Sequence, residues 1–467
     1  MARALLIGGT NSHAGKSWTA TAICRWLRRR GVRVAPFKAQ NMSLNSYPCR
    51  NGGEMGRAQV VQAEACGLQP VSDMNPILLK PASHSGSQVI VDGKVWRNLP
   101  AAEYYEQFNT LLDHVLAAYE RLSRQYEYIV VEGAGSLSEI NLKDTDLVNL
   151  GLARRLDVPV LLVADIDRGG VFASIVGTFA LLQPEESSLV RSFAINRFRG
   201  DLALFRSGRD FLEGRTERPC LGVFPWLPGV QIDAEDSVAL DDFRPASSGG
   251  PRVAILRFPR ISNFTDFRLL PDASWITTPV DDVFDLVILP GTKNTMGDLE
   301  WLRAQGLEDW LARQKAKGAQ LLGVCGGYQM LGEQIQDPFG VESGTFGVSG
   351  LGYLPARTVL TRSKTTQVVN AVSPAGTAFS AYEIHMGITS VRHHAEPFAF
   401  VDGHGEGIRW EGCAGTYLHG ALENAAVLGE ILGCSIPEPP PKDLNYDRLA
   451  DWFEANADVR LFEELYL

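Results

Sequence analysis

The apolar positions of this chain fall in short dense runs that stop at glycine or at a polar cluster. Leu5-Leu6-Ile7, Val32-Arg33-Val34-Ala35-Pro36-Phe37-Lys38, Tyr128-Ile129-Val130-Val131 and Pro159-Val160-Leu161-Leu162-Val163-Ala164 are of this kind. Phe193-Ala194-Ile195-Asn196-Arg197-Phe198 and Leu221-Gly222-Val223-Phe224-Pro225 follow. Runs this short and this apolar read as strands buried on both faces, as in a parallel sheet. Helix-spaced positions lie between them, such as Trp18, Ile23, Trp26 and Leu27. The alternation predicts an α/β fold. A second series starts at Val253-Ala254-Ile255-Leu256 and continues through Leu286-Val287-Ile288-Leu289 and Leu321-Leu322-Gly323-Val324. Residues 241–251 between the two series are polar and rich in Pro, Ser and Gly, the composition of a linker. The expected organisation is one domain over 1–240, the linker 241–251, a second domain over 252–440 and a helical, acidic tail over 441–467.

Composition narrows the function classes. A chain of 467 residues fits two domains. A net charge of −10 argues against a general nucleic-acid or anionic-membrane surface. The seven cysteines are irregularly spaced with no CxxC pair, which reads as reduced thiols in the cytoplasm. The N-terminus enters a strand at once, without a leader pattern, and no apolar run reaches membrane-spanning length.

Two stretches carry recognisable chemistry. In Leu321-Leu322-Gly323-Val324-Cys325-Gly326-Gly327-Tyr328-Gln329-Met330 a strand ends in a thiol flanked by glycines and runs on into a helical pattern. This is a nucleophile elbow with Cys in the place of Ser. A helix behind the sulfur favours the thiolate, and the Gly326 N–H is placed to meet a developing oxyanion. A lone cysteine is more often a core residue, so a partner base is needed. His419, in Gly415-Thr416-Tyr417-Leu418-His419-Gly420, has the best context; His385 is the competitor. Gly291, where the strand Leu286 to Leu289 turns, is a second oxyanion donor only if Cys325 is the nucleophile.

The other stretch is Leu5-Leu6-Ile7-Gly8-Gly9-Thr10-Asn11-Ser12-His13-Ala14-Gly15-Lys16-Ser17, a strand feeding a phosphate-binding loop. Gly15 and the backbone cradle phosphate, Lys16 neutralises it, and the Ser17 hydroxyl is a Mg²⁺ ligand. Five residues, not four, separate Gly9 from Gly15. Glu132 ends a buried strand, as a Walker-B-like Mg²⁺ ligand does. The amide-rich loop with Gln40 and Asn41 follows a strand end, where open α/β sheets bind ligands; a solvated loop is an equal alternative. Asp144 and Asp146 suit a ligand-facing loop. Glu54 reads from position alone as a helix-dipole partner at a helix start.

Taken together, the chain resembles the cobyric acid synthase family, the glutamine-dependent amidotransferases of cobalamin biosynthesis. Phe37-Lys38-Ala39-Gln40-Asn41-Met42-Ser43-Leu44-Asn45, Asp73-Met74-Asn75-Pro76-Ile77-Leu78-Leu79-Lys80-Pro81 and Gly86-Ser87-Gln88-Val89-Ile90 carry the resemblance, as do Asp165-Ile166-Asp167-Arg168-Gly169-Gly170, Asn196-Arg197-Phe198-Arg199-Gly200-Asp201 and Arg260-Ile261-Ser262-Asn263-Phe264-Thr265-Asp266. It implies a dethiobiotin-synthetase-like P-loop domain joined to a class I, flavodoxin-like glutaminase domain. The longer P-loop spacing is similar to that group; Gly9 and Thr10 stand where partitioning ATPases carry an extra Lys. The resemblance further implies ATP and Mg²⁺, with Glu54 beside Ser17 and Glu132 as a metal ligand, Asn196 as an adenine contact, and Lys38, Gln40, Asn41 and Asp146 on phosphate or substrate. It places His385 with Gly291 and Gly326 at the glutamine. The implied reaction is amidation of the b, d, e and g carboxylates of adenosylcobyrinic acid a,c-diamide through acyl phosphates, with glutamine, ATP and the corrinoid as small-molecule partners. Class I glutaminases place a Glu two residues after the His; here Gly420 and Ala421 follow His419, so its orienting acid is unaccounted for. A sister cobyrinic acid a,c-diamide synthase, or a nucleotide-switched binding protein with an inactive glutaminase domain, are the competing readings.

Overall fold

The computed structural model describes residues 2–82, 86–233, 235, 250–342, 345–392 and 394–467. Six strands of the N-terminal domain form one parallel sheet: β1 (Arg3–Gly9), β2 (Val34–Phe37), β3 (Tyr128–Glu132), β4 (Val160–Asp165), β5 (Val190–Phe198) and β6 (Cys220–Pro225). Their order is β6-β5-β4-β1-β3-β2. β1, β3 and β4 lie at the centre and are buried along nearly their whole length, which is why each reads as an unbroken apolar run. Helix α1 (Lys16–Arg29) packs Ala20, Ile23, Trp26 and Leu27 onto the sheet and ends in Arg28 and Arg29, where cations complement the helix dipole.

The C-terminal domain repeats the plan. β7 (Val253–Leu256), β8 (Ser274–Ile276), β9 (Leu286–Leu289), β10 (Gln320–Val324), β11 (Ile408–Trp410) and β12 (Cys413–Thr416) form a sheet of order β8-β7-β9-β10-β12-β11. All its pairs are parallel except the edge hairpin of β11 and β12. A long hairpin, Ala356–Val372 with Ala378–Val391, extends from this domain.

Three features depart from the sequence reading. The amide-rich loop after β2 is two short strands, Gln40–Met42 and Ser46–Pro48; the first joins Ile77–Pro81, Gly86–Val91 and Lys94–Pro100 in a separate four-stranded sheet. Glu54 does not open a helix. It starts the strand Glu54–Gly56, paired with Ser46–Pro48, and the helix begins only at Arg57. Tertiary pairing overrides the local pattern in both places. The C-terminal helices Lys442–Asn456 and Val459–Tyr466 are not an appended tail: they cover the N-terminal sheet. Phe453 and Phe462 meet Trp26 edge-on at 5.6 and 5.5 Å, the Tyr128 hydroxyl donates to the Tyr466 carbonyl at 2.8 Å, and Arg25 pairs with Asp447 and Asp443 at 2.7 and 2.8 Å. Positions 241–249 of the expected linker lie outside the described residues.

Candidate active sites

β10 ends at Val324, and the next residue, Cys325, takes φ 52° and ψ −109°. A non-glycine residue held at positive φ is strained and persists only where its surroundings impose it. Here the helix Gly326–Leu331 folds straight back over β9. A Cβ at position 327 would sit 1.9 Å from the Leu289 carbonyl oxygen, so only glycine fits there. The turn after β9 abuts the elbow: a Cβ at Gly326 would lie 3.2 Å from the Thr292 nitrogen and one at Gly291 3.0 Å from His419 Cε1. Gly326 thus abuts Thr292, and Gly291 abuts the His419 ring. The helix is only six residues long, so the backbone turn, more than a helix dipole, shapes the elbow.

His419 follows β12 and is fully buried. Its Nδ1 meets Asp266 Oδ2 at 2.7 Å, and the Gly420 N–H donates to Asp266 Oδ1 at 2.9 Å. Nε2 has no hydrogen-bond partner among the described residues and is left for the Cys325 thiol, with which the ring interacts. Burial works to lower the imidazole pKa, but the Asp266 carboxylate outweighs it and raises the value to about 10. The Asp266 carboxylate thus favours the protonated imidazole. Asp266 is the missing orienting acid. It sits on the 3₁₀ turn Phe264–Phe267, inside the segment quoted above, and its identification needs the fold because no spacing rule links it to His419.

His385 lies in the same cleft, with its ring 3.9 Å from that of Tyr417 and Nδ1 2.9 Å from the Gly387 carbonyl. The cleft walls include Lys293, Glu342 and Met386 and, from the N-terminal domain, Leu44, Lys80 and Gln88. Burial lowers the Lys293 pKa and raises that of Glu342 to about 7.

The P-loop site lies at the carboxyl ends of β1 and β3. Gly15 takes φ 105° against the Asn196 amide, where a Cβ would come within 1.8 Å of Nδ2. Lys16 donates to the Asn11 and Gly135 carbonyls at 3.1 and 2.9 Å, and burial, with Lys38 nearby, lowers its pKa to about 8. The Ser17 hydroxyl donates to Glu132 at 2.8 Å. Glu132 also pairs with Lys38 at 3.0 Å, and Lys38 reaches Glu235 at 2.5 Å. Burial would favour neutral groups here, but each charge is held by its partner: Glu132 is pulled below the carboxylate range and Lys38 raised. A cavity of about 740 Å³ opens over Lys16, Ser17, Lys38 and Asn41 and runs to Arg197 and Trp226. A neighbouring one of about 420 Å³, lined by Gln40, Tyr104, Asp146, Arg154 and Arg155, shares Met42, Ala134 and Gly135 with it. Asp146 caps the turn into the helix Leu150–Leu156, accepting from the Val148, Asn149 and Gly151 N–H groups.

One expected placement changes. Glu54 is not beside Ser17 and Glu132. It is buried against Lys80 and Lys364, the latter from the long hairpin, and those lysines outweigh burial to hold its carboxyl well below the usual range. A buried carboxylate with two ammonium partners is a domain-joining ion cluster, not an open metal ligand. Asn196 donates to the Ala14 carbonyl at 3.1 Å and so braces the P-loop; Arg197 and Trp226 line the far end of the cavity.

Comparison with known proteins agrees with this layout. Residues 5–238 match the family model of the CobQ/CobB/MinD/ParA nucleotide binding domain, and residues 252–427 that of the CobB/CobQ-like glutamine amidotransferase domain. The chain is 43% identical to a cobyric acid synthase of Dehalococcoides mccartyi (strain CBDB1), over 100% of this chain and 98% of that one. The chain belongs to the cobyric acid synthase family. Another cobyric acid synthase, from Moorella thermoacetica, is 46% identical over 92% of this chain and 89% of its own. As a member of the cobyric acid synthase family, the chain carries its cysteine site in the amidotransferase domain and its P-loop in the nucleotide-binding domain. No helix among the described residues is long and apolar enough to cross a membrane.

Proposed function

We propose that this chain uses ATP and glutamine to convert the b, d, e and g carboxylates of adenosylcobyrinic acid a,c-diamide to amides. The observation that carries the reading is the Cys325–His419–Asp266 array, whose cleft is walled in part by Leu44, Lys80 and Gln88 of the nucleotide-binding domain. Such a placement suits ammonia made at one site and used at the other. Cys325 thiolate attacks the side-chain amide carbon of glutamine, with the oxyanion at Gly326 and Gly291. His419 gives its proton to the leaving nitrogen, ammonia departs, and water cleaves the thioester to glutamate. Lys293 and Glu342 offer a cation and a carboxylate to the α-carboxylate and α-ammonium of the substrate.

In the N-terminal domain ATP lies over Lys16 with its base toward Trp226 and Arg197. A corrinoid carboxylate enters from the cavity with Arg154 and Arg155, across the shared wall at Met42 and Gly135, and attacks the γ-phosphorus. That step releases ADP, and ammonia then attacks the acyl phosphate carbon, giving the amide and inorganic phosphate. Activation is needed because a carboxylate is a poor electrophile. Lys16 offsets the charge that develops on the phosphoryl oxygens. Mg²⁺ fits this donor set: one hydroxyl and one carboxylate, Ser17 and Glu132, with no cluster of three ligating residues among the described ones, leave the other positions to phosphate and water. Bound there, it would neutralise phosphate charge. We take 1–240 as the synthetase domain, to which 441–467 belongs by packing, and 252–440 as the glutaminase domain, acting in the cytoplasm.

The test is mass spectrometry of the corrinoid after incubation of the purified chain with ATP, Mg²⁺, glutamine and adenosylcobyrinic acid a,c-diamide. Stepwise carboxylate-to-amide mass changes are expected. ATP turnover with an unchanged corrinoid mass would overturn the substrate assignment.

A further inference from the structure

The acid that orients His419 stands on a turn that the other domain holds in place. Asn45, in the nucleotide-binding domain, accepts from the Phe264 N–H through Oδ1 at 3.1 Å. In return the Ser46 N–H donates to Asn263 Oδ1 at 3.0 Å. Both asparagines are buried, and Asn263 takes a left-handed φ of 51°, which an Asn tolerates better than most residues. Asn263 is the cap of the 3₁₀ turn that carries Asp266, whose N–H donates to the Asn263 carbonyl at 3.2 Å. The next residue along, Tyr47, packs on Tyr382 at 4.8 Å. Tyr382 in turn stacks on the His419 ring at 5.2 Å and 22°, and the two exchange backbone hydrogen bonds of 2.9 Å. Three consecutive residues of one domain thus support both the acid and the ring of the catalytic dyad in the other. The Asn45 carbonyl is itself fixed by the Arg57 N–H at 3.1 Å, at the start of a helix of the nucleotide-binding domain.

We infer that Asn45 and Tyr47 are positioning residues for glutamine hydrolysis: the nucleotide-binding domain sets the Asp266–His419 geometry through the Asn45–Asn263 clasp and the Tyr47–Tyr382–His419 stack. Neither residue touches glutamine in this account; they act through Asp266 and His419. The inference rests on the glutaminase reading above. It implies that the amidotransferase domain is tuned by its neighbour and not by its own fold alone.

The experiment measures glutamate release from glutamine by the full chain, as wild type, Asn45→Ala, Tyr47→Ala and a Cys325→Ala blank. Loss of one buried hydrogen bond corresponds to roughly a tenfold effect. The expected result is therefore a fall of about tenfold in kcat for Asn45→Ala, with KM for glutamine changed by less than about twofold. ADP release supported by added ammonium should stay near wild type. Among the described residues the titratable groups that bear on His419 are Asp266, Cys325 and Glu383, with the Tyr382 ring stacked on the imidazole. A displaced Asp266 leaves the imidazolium less well held, so the alkaline limb of the kcat/KM profile should move to lower pH in Asn45→Ala. A purely structural defect would lower both activities together and leave the pH profile in place; that result overturns the inference, as does unchanged kcat in both variants. If the wild type released no more glutamate than the Cys325→Ala blank, the glutaminase reading itself would fail, and that outcome is separate from the other two.

Discussion

The two sites differ in how much of their charge is already set for reaction. In the cysteine site Cys325 is held at a positive φ, a buried carboxylate favours the protonated form of His419, and the imidazole nitrogen that Asp266 leaves over has no competing partner among the described residues. In the P-loop site the acids are already engaged: Glu132 accepts from the Ser17 hydroxyl and pairs with Lys38, and Lys38 pairs with Glu235. That site also opens into two adjoining cavities of about 740 and 420 Å³, while the cysteine lies in a narrow cleft. One site is preorganised by the protein; the other is completed by the charges its ligands bring. The difference fits the chemistry. A small amide needs a fixed oxyanion pocket, whereas a nucleoside triphosphate brings its own anionic charge to Lys16, whose ammonium here meets the Asn11 and Gly135 carbonyls.

Preorganisation should make the cysteine site the more sensitive to a single oxygen-to-nitrogen change. Asp266→Asn should lower kcat for glutamine hydrolysis by roughly a thousandfold or more, because the imidazole loses both its orientation and its counter-ion. The pH dependence follows from the same pair. A folded-state pKa of about 10, above the ordinary 6.5, means that the His419 proton stabilises the fold fully below about pH 6.5 and that this contribution is lost as pH rises through 10. Urea denaturation of wild type at pH 7 and pH 10.5 should show that loss, and Asp266→Asn should show little of it.

The next effect lies in the N-terminal core. Phe462 is fully buried in the N-terminal core although it lies near the end of the chain. Phe462→Ala should cost about 3–5 kcal/mol of stability by denaturant titration. That loss should lower ATP turnover at elevated temperature, and glutamine hydrolysis with it, because Asn45 and Tyr47 of the same domain hold the Asp266 turn and Tyr382. Lys16→Ala should reduce ADP formation by roughly a hundredfold and leave glutamate release in place, since the lysine acts only on phosphate. At the small end, the exposed Arg209–Glu213 pair, one helical turn apart, should change stability by no more than about 0.5 kcal/mol on Arg209→Ala. A larger value there would mean that surface charge, and not burial, carries the N-terminal domain.

The legible parts of the chain were those whose chemistry is local. Cys325 is announced by the strand and glycines around it, and Lys16 and Ser17 by the strand, loop and helix within a few residues. The parallel sheets follow from apolar runs such as Val160 to Ala164. What the sequence hid depends on distant partners. Asp266 serves His419 from 153 positions earlier. Only the absence of an acid after His419 hinted that one had to come from elsewhere. Glu54, a helix-dipole partner by position and a metal ligand only by the resemblance, is neither once Lys80 and Lys364 are seen on either side of it. The helices after Pro441 read as an appendage because their partner, Trp26, stands at the other end of the chain.

The central claim is that one chain makes ammonia at Cys325 and uses it at Lys16. The most direct measurement follows corrinoid amidation and ADP release by Cys325→Ala, with glutamine and then with ammonium as the nitrogen source. The account predicts no amidation from glutamine and near wild-type amidation from ammonium, with ADP formed in step. Amidation from glutamine that persists without the thiol would contradict it.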